Sequence, residues 1–355
     1  MTFAFYAPLK APDHPVPSGD RAMARAVIAA LELAGYEVSL ASGLRLYDGA
    51  GDAVHQDTLM AKADMEIARL CALPEAAGWR AWITYHNYYK APDLIGPHVA
   101  RALNIPYFQV ESTRARKRLT GPWARFAAAA EAASDAAHTI FYLTHRDAET
   151  LRRDAPDGQN LCHLPPFLAR TDLPAASDLS GPMLSVGMMR TGDKVTSYTL
   201  IAQTLAALPQ TLEWQLEIAG DGEARAEVAD LMAPFGGRVA LLGALDADAV
   251  QARYAKASLL FWPGVNEAFG MTYLEAQAAG LPVVAQDRPG VRDVVTGPQP
   301  DVAQGPTAMA ARLAALLQDR DARGAAGATA RQAVKAHHLL GSAAKTLRTV
   351  LETAT

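Results

Sequence analysis

The sequence predicts an α/β protein made of two doubly wound, Rossmann-like domains, and three observations support this fold class. The chain has 355 residues, which exceeds the roughly 150 residues of a typical single core. Short β-prone segments alternate with amphipathic helical patterns along the whole sequence. One segment rich in proline and glycine divides this alternation into two series, each typical of βαβ units with a parallel sheet.

The first series occupies residues 1–176 and contains about six strand–helix steps, enough for one sheet. Its predicted strands and helices include Phe3–Ala7, Arg21–Ala34, Tyr36–Leu40, Thr58–Leu73, Ala81–Tyr85, Tyr107–Val110, Trp123–Ala133, Thr139–Leu143 and Leu161–Leu164. The segment Leu168–Pro182 is rich in residues that break helices and strands and lacks apolar periodicity. It is therefore predicted to link the two domains.

The second series occupies residues 177–337. Its predicted strands are Met183–Val186, Trp214–Ala219, Val239–Leu242, Leu259–Trp262 and Pro282–Ala285, and its helices include Tyr198–Ala207, Ala224–Ala233 and Ala249–Ala257. Neither series contains a GxGxxG dinucleotide turn or a GxxxxGK(S/T) phosphate loop, which argues against NAD-dependent hydride transfer and P-loop ATPase chemistry. Two open sheets joined by a linker are expected to face a central cleft, with ligands at the carboxyl ends of the strands.

The composition excludes several function classes. The net charge is −4 at pH 7 and neither half is strongly basic, so nucleic acid is not an expected partner. Cys71 and Cys162 are far apart and have no CxxC partner, which argues against a disulfide scaffold or a thiolate zinc site. Met1–Lys10 does not read as a signal peptide, and no apolar run approaches the roughly 20 residues of a membrane span. We expect a cytoplasmic protein, at most bound to the inner face of the membrane.

The segment Phe261–Val284 carries the most informative chemistry and reads as strand, loop, helix and strand. Glu267 lies in the loop at the strand end, and Glu275 lies in the following helix, whose first N–H groups near Phe269–Thr272 are expected to face the cleft. A helix start suits phosphate, and a carboxylate beside it can accept hydrogen bonds from sugar hydroxyls. The alternative is that Glu267 caps the helix and Glu275 is a solvated helix residue.

This segment resembles the E-x7-E signature of the family-4 retaining glycosyltransferases, which have the GT-B fold. Three further segments in the second half are similar to this family: Leu216–Gly222, with its Gly-Asp-Gly turn, Arg238–Gly243, and Pro289–Val295. The resemblance implies two Rossmann-like domains facing a central cleft, the first arranging the acceptor and the second holding a nucleotide-sugar donor. It also implies that a last helix within residues 338–355 packs back on the first domain.

The resemblance also implies roles for individual residues. Glu267 would hold the donor sugar's hydroxyls and Glu275 the nucleotide ribose. The loop Gly187–Lys194 is similar to the family's diphosphate-binding loop, in which Arg190 and Lys194 would stabilise the leaving diphosphate. Arg190 lies two places later than in the commonest pattern, and the alternative for this cationic pair is ordinary surface charge. The remaining implied donor-binding positions are Gly220, Gly222, Gly243, Ala268, Phe269, Gly270, Met271 and Thr272.

Asp246-Ala-Asp248 has the DxD spacing by which another class of glycosyltransferase holds a divalent cation. It also opens a helical pattern, where Asp246 is well placed as an N-cap and Asp248 favours the helix dipole. We expect the capping role, and so no metal and no cofactor. The nucleotide sugar is expected as a substrate.

The acceptor side is predicted from strand ends of the first domain. Gly19, in the loop Pro17–Asp20, takes the place of the family's small-residue loop, or else marks a plain helix start capped by Ser18 or Asp20. His86 ends a predicted strand and either contacts substrate or is structural. Glu111 stands where many relatives carry a histidine. It would orient or deprotonate the acceptor hydroxyl, or simply cap the chain, and in the family's front-face proposal the departing phosphate itself can take the proton.

The segment Arg114–Phe126 is locally basic and interleaved with aromatic residues. Arg114 and its neighbours would suit anionic lipid headgroups, each charge contributing about 1 kcal/mol near such a surface. The same residues would also suit a phosphorylated or acidic acceptor, and a solvated surface helix is the third interpretation.

The sequence therefore predicts a retaining, metal-independent glycosyltransferase. It would move a sugar from a nucleotide sugar, expected to be a UDP-sugar, to a hydroxyl of a membrane lipid or a surface glycan. Two alternatives stay open: a nucleotide-sugar epimerase of the same fold, and a non-catalytic nucleotide-sugar-binding protein.

Overall fold

The computed structural model describes residues 1–16 and 18–354. It separates the chain into two compact units, one formed by Met1–Pro165 with Leu340–Thr355 and the other by Pro166–Leu339. In the described part of the chain, no helix combines the length and apolar character needed to cross a membrane.

The boundary between the units lies before the predicted position at residue 176. The segment that was predicted to be a linker is attached to the second unit. Arg331 donates a hydrogen bond to the Pro174 carbonyl at 2.7 Å, and Ser177 Oγ donates to the Ala257 carbonyl at 2.7 Å. The segment Leu168–Pro182 therefore packs on the second unit and is not a free linker.

The first unit contains one six-stranded parallel sheet in the order β2-β1-β3-β4-β5-β6. The strands are β1 Thr2–Tyr6, β2 Glu37–Ser42, β3 Trp79–Asn87, β4 Tyr107–Ser112, β5 Thr139–Tyr142 and β6 Asn160–His163. The helices are α1 Gly19–Leu33, α2 Ala53–Cys71, α3 Gly96–Leu103, α4 Ala124–Ala136 and α5 His145–Asp154. The strands β3, β4 and β5 are buried along most of their length, as expected for central strands of a parallel sheet that is covered on both faces.

The second unit contains one five-stranded parallel sheet in the order β11-β10-β7-β8-β9. The strands are β7 Met183–Val186, β8 Leu216–Ala219, β9 Val239–Gly243, β10 Leu260–Phe261 and β11 Val283–Val284. The helices are α6 Asp193–Ala206, α7 Arg225–Met232, α8 Ala247–Tyr254, α9 Met271–Ala278, α10 Pro289–Arg292, α11 Gly305–Gln318 and α12 Arg320–His337.

The last helix, α13, spans Leu340–Leu351 and belongs to the first unit, where it packs against α1. Its buried face includes Leu347 and Leu351.

The strand orders place a topological switch point in each sheet. In the second sheet β7 and β10 are neighbours. The strand that follows β7, which is β8, lies on one side of this pair, and the strand that follows β10, which is β11, lies on the other. Open α/β sheets bind ligands at the carboxyl ends of such strands. In the first sheet β1 occupies the equivalent place between β2 and β3.

Candidate active site

Three side chains meet at the switch point of the second sheet. Lys194 lies in the first turn of α6, just after β7, and forms an ion pair with Glu267 in the loop after β10. Glu267 Oε1 also accepts a hydrogen bond from Trp262 Nε1 at 2.9 Å, and Lys194 Nζ lies 5.2 Å from the centre of a Trp262 ring. The side chains of Lys194 and Glu267 remain 25% and 16% exposed, so the pair is accessible to a ligand.

Trp262 is held rigidly although the sequence did not single it out. It is 2% exposed, and Tyr198 packs edge-on against it with ring centres 5.2 Å apart. The Tyr198 hydroxyl donates to the Gly187 carbonyl at 2.7 Å. A Cβ on Gly187 would lie 2.7 Å from the Trp262 ring, so glycine is needed there to let the indole reach Glu267. The position of Trp262 directly after β10 is the sequence signal that could have identified this residue.

Glycines also bring the ends of β7, β8 and β9 together. Gly220 N donates to the Gly243 carbonyl at 2.8 Å. Gly220 has φ +155°, and a Cβ there would overlap the Gly187 carbonyl oxygen, while a Cβ on Gly222 would overlap that of Met189. Glycine at positions 220 and 222 therefore lets the chain after β8 pack directly against the chain after β7.

Arg190 lies in the loop after β7 and is exposed. Hydrogen bonds from Thr191 lower the pKa of the Glu223 carboxyl, and the charge of Arg190 lowers that pKa further. Of the two predicted cations, Lys194 is thus the one that the structure pairs with Glu267.

The helix that follows Glu267 begins later than predicted. α9 starts at Met271, so Phe269 and Gly270 belong to the loop and not to the first helical turn. Gly270 has φ +66°, a conformation that suits glycine, and this turn sets the entry into the helix. The carbonyl oxygens of Glu267 and Ala268 pack so closely on Gly290 of α10 that a Cβ on this glycine would overlap both.

Glu275 is not a solvated helix residue, which corrects one of the two interpretations drawn from the sequence. It is partly buried, its Oε2 accepts a hydrogen bond from the Tyr254 hydroxyl at 3.1 Å, and burial raises the pKa of its carboxyl. Tyr254 is itself 1% exposed. A carboxylate with one fixed partner retains oxygen lone pairs for the hydroxyls of a ligand.

Asp246 caps α8 through a hydrogen bond from Ala249 N to its Oδ1 at 2.8 Å. Across residues 1–16 and 18–354, no group of three or more His, Cys, Asp or Glu side chains is arranged to hold a metal ion.

A cluster of ionisable groups lies at the carboxyl ends of β3 and β4 in the first unit. His86 and Glu111 occupy neighbouring strands, and both adopt left-handed backbone conformations, with φ of 64° and 58°. His86 Nδ1 lies 3.0 Å from Asp20 Oδ1 in the first turn of α1. Glu111 Oε2 is buried without a hydrogen-bond partner among the residues described. Non-glycine residues with positive φ are uncommon and concentrate at functional sites.

The charges in this cluster shift one another's pKa values. Burial raises the pKa of Glu111, against the effect of the nearby His86. Burial opposes the charged form of His86, but the carboxylates of Glu111, Asp20 and Asp147 outweigh it and raise the pKa of the imidazole. Burial likewise opposes ionisation of Asp20, yet the hydrogen bond and charge of His86 lower its pKa. The surrounding carboxylates therefore favour the protonated form of His86, and burial favours the protonated form of Glu111.

The structure gives the surroundings of two further residues that were predicted on the acceptor side, Gly19 and Arg114. Gly19 is the first residue of α1, Ser18 Oγ caps that helix by accepting from Arg21 N at 3.2 Å, and a Cβ on Gly19 would meet no atom within 4 Å. The predicted helix start with Ser18 as its cap is therefore present, the acceptor role of Gly19 stays a prediction, and Pro17 of the same loop lies outside the described residues.

Arg114 is a buried residue neutralised by two carboxylates and not an exposed cation. Its side chain is 1% exposed and pairs with Glu131 at 2.9 Å and Asp135 at 2.7 Å on α4. Phe126, at the other end of the basic segment, is fully buried as well. The two ends of this segment thus serve the core, and only its middle is open to solvent.

Replacing Asp20 with asparagine should lower the pKa of His86 toward its ordinary value, because one of the anions that raise it is removed. NMR titration of the His86 ring measures this shift. The matched change Asp13→Asn, at an exposed carboxylate, should leave the titration unchanged. An unaltered His86 pKa in Asp20→Asn would contradict the assigned pairing.

The ion pair between His86 and Asp20 also makes the stability of the protein depend on pH. Since the folded-state pKa of His86 is raised, its contribution is complete below the unfolded value of about 6.5 and disappears as pH rises through the folded pKa. Since that of Asp20 is lowered, its contribution is present above about 3.9 and disappears as pH falls through the folded pKa. Asp20→Asn should therefore lower the free energy of unfolding most between about pH 3.9 and pH 6.5.

Comparisons with known proteins agree with the site in the second unit. Residues 183–319 match the family model described as glycosyl transferases group 1, which confirms, for this part of the chain, the resemblance drawn from its motifs. A GDP-mannose-dependent alpha-mannosyltransferase of Mycolicibacterium smegmatis is 34% identical over 122 residues, which cover 33% of this chain and 32% of that protein. An uncharacterized glycosyltransferase of Methanocaldococcus jannaschii is 36% identical over 100 residues, covering 27% of this chain and 26% of that protein. The matched segment thus spans about a third or less of these relatives' lengths.

Solved structures share the fold over nearly the whole chain. Sucrose-phosphate synthase from Thermosynechococcus elongatus superposes with a TM-score of 0.73 at 18% identity, covering 99% of this chain and 98% of that one. Anabaena HepE in complex with UDP superposes with a TM-score of 0.74 at 14% identity, covering 99% and 100%. At these identities the likeness establishes the fold, which is the predicted GT-B fold of two Rossmann-like units.

Proposed function

We propose that this protein is a retaining glycosyltransferase that moves a sugar from a nucleotide-sugar donor, a UDP-sugar, to an acceptor hydroxyl. The observation that carries the proposal is the Lys194–Glu267 pair, fixed by Trp262 at the switch point between β7 and β10. A cation and a carboxylate at this edge match the two halves of a nucleotide sugar, its diphosphate and its hydroxyls.

Each residue of this site has a distinct role in the proposal. Glu267 holds sugar hydroxyls, and Glu275 on α9 holds the ribose. Lys194, with Arg190 from the same loop, stabilises the diphosphate. Negative charge grows on the diphosphate as its bond to the sugar breaks, so a fixed cation stabilises the transition state more than the ground state. Main-chain groups of residues 268–272 complete the contact with the donor.

The acceptor hydroxyl is placed by the cluster of His86 and Glu111. The buried Glu111 Oε2 supports this role, because a carboxyl oxygen with no hydrogen-bond partner among the described residues can accept a hydrogen bond from a substrate hydroxyl. The departing phosphate can take the hydroxyl proton, so the cluster orients the acceptor without having to be the final base.

The names and bound ligands of similar proteins support a nucleotide-sugar donor. One structural neighbour was solved with UDP-glucose, and one relative is named for its dependence on GDP-mannose. A lipid or surface-glycan acceptor at the inner face of the membrane is supported by the exposed cations Arg116 and Lys117. Because Phe126 is buried, contact with an anionic surface would be electrostatic.

A panel of nucleotide sugars tests the function. The expected result is a rise in melting temperature with one donor, since a ligand that binds only the folded state stabilises it. Release of nucleotide diphosphate that depends on an acceptor, with retained anomeric configuration by NMR, would establish transfer. Sugar interconversion without acceptor would indicate an epimerase, and a donor that binds but stays intact would indicate a binding protein.

Removal of divalent metal should leave transfer unchanged, because the proposal assigns the stabilisation of the diphosphate to Lys194 and Arg190. Exhaustive EDTA treatment followed by a rate measurement checks this expectation. Complete loss of activity that Mn²⁺ or Mg²⁺ restores would contradict it.

A further inference from the structure

A groove of about 810 Å³ opens at the carboxyl ends of β4 and β5 in the first unit. Its lining comes from Tyr89 after β3, from residues 113–118 after β4, and from α5. Six cationic side chains line it against two carboxylates, Asp147 and Asp154; the cations are Arg114, Arg116, Lys117, Arg118, Arg146 and Arg153. Arg114 is already paired with Glu131 and Asp135, which leaves five cations against the two carboxylates. The groove is therefore strongly basic although the chain as a whole has a net charge of −4.

The two carboxylates leave most of this charge unbalanced. Arg116 and Arg153 both pair with Asp154, at 3.3 Å and 2.6 Å, so one carboxylate serves two arginines. Asp147 accepts hydrogen bonds from Thr113 Oγ1 at 3.3 Å and from Thr144 Oγ1 at 2.6 Å. An anionic ligand would restore the balance.

Arg118 is held against two aromatic rings. Its guanidinium lies 5.1 Å from the ring centre of Tyr89 and 5.5 Å from that of Trp123, and Trp123 Nε1 is fixed by the Asp48 carbonyl at 3.0 Å. Arg118 Nε is buried and has no hydrogen-bond partner in the part of the chain that the structure describes. A stacked guanidinium with an unused donor is a pre-organised site for a phosphate or carboxylate.

Arg146, which also lines the groove, favours the same kind of ligand. It lies in the first turn of α5, where the helix dipole favours negative charge and a cation is unfavourable. It is also exposed. A cation kept at a helix start therefore adds to the positive potential of the helix N–H groups.

We propose that this groove binds a phosphate group carried by the acceptor, between Arg118 and Arg146. Thr113, which lines the groove, lies two residues after Glu111 on the same segment, so a phosphate bound here would leave a neighbouring hydroxyl within reach of Glu111 and His86. The assignment of this phosphate to the acceptor rests on the proposed function, whereas the phosphate site itself does not. The phosphate belongs either to a soluble phosphorylated compound or to a lipid headgroup.

Chemical modification of arginines tests the groove without requiring turnover. The full chain is treated with phenylglyoxal, with and without inorganic phosphate, and labelling of each arginine is followed by peptide mass spectrometry. Phosphate should slow labelling of Arg118 and Arg146 by about tenfold, as expected for charge-assisted hydrogen bonds. Arg80, exposed at the start of β3 and absent from the groove, should be unaffected.

A second arm uses vesicles of phosphatidylcholine with phosphatidic acid. Protection of Arg118 by these vesicles but not by inorganic phosphate would assign the site to a lipid phosphate, and protection by inorganic phosphate to a soluble one. Arg146→Ala should weaken the protection of Arg118 about tenfold, whereas Arg80→Ala should not. The proposal fails if neither probe protects Arg118, or if Arg80 is protected equally. Because labelling is independent of transfer, this failure is distinguishable from failure of the glycosyltransferase assignment.

Discussion

Lys194→Met should lower kcat for acceptor-dependent release of nucleotide diphosphate by about 10²–10³-fold, the usual effect of removing one pre-organised electrostatic group. The methionine keeps the length and apolar stem of the side chain but removes the charge that Glu267 and the Trp262 ring fix in place. Since the cation acts mainly on charge that develops as the donor bond breaks, KM should change less than kcat.

The matched control is Lys335→Met, which removes an exposed lysine from α12 in the same unit. It should leave kcat unchanged. Steady-state kinetics of both variants, with circular dichroism to verify folding, make the comparison. A Lys194→Met enzyme within about twofold of wild type would remove Lys194 from the chemistry.

Gly290→Ala should lower transfer by about 10²-fold although residue 290 makes no proposed contact with substrate. Its new methyl group would overlap the carbonyl oxygens of Glu267 and Ala268, so the loop that carries Glu267 must move. Overpacking of this kind also costs about 1–3 kcal/mol of stability. Kinetics together with urea unfolding separate the loss of geometry from the loss of fold.

Gly324→Ala provides the contrast for the same chemical change. A Cβ on Gly324, within α12, would meet no atom within 4 Å. This variant should gain about 0.4–1 kcal/mol through the lower entropy of its unfolded chain and transfer sugar at the wild-type rate. Equal activity of the Gly290→Ala and Gly324→Ala proteins would show that the loop position is not critical.

The sequence was sufficient to predict the alternating elements, since strand and helix periods differ and each segment buries a regular apolar pattern. It also placed Glu267 at a strand end, because the loop follows directly after β10. The pairing of Glu267 with Lys194 was not predictable from sequence order, because it depends on β7 and β10 being neighbours in the sheet. The role of Gly290 depends on a similar approach between distant segments.

Side-chain environment was the main source of error in the first unit. A run of basic residues does not reveal which of them find carboxylates elsewhere. Arg114 is neutralised by Glu131 and Asp135 one helix later, whereas Arg118 is held by aromatic rings. The left-handed backbone at Glu111 is equally invisible in the sequence, because it is imposed by the surrounding fold.

The central claim is that the second unit holds a nucleoside diphosphate between Lys194 and Glu275. Calorimetric titration of UDP, with GDP in parallel, into the wild-type chain and into Glu275→Ala tests it most directly. We predict that wild type binds one nucleotide per chain and that Glu275→Ala binds it about 10–100-fold more weakly, as expected when a hydrogen bond to a charged group is lost. Binding of neither nucleotide to the folded wild-type chain, or the same Kd for both proteins, would contradict the claim.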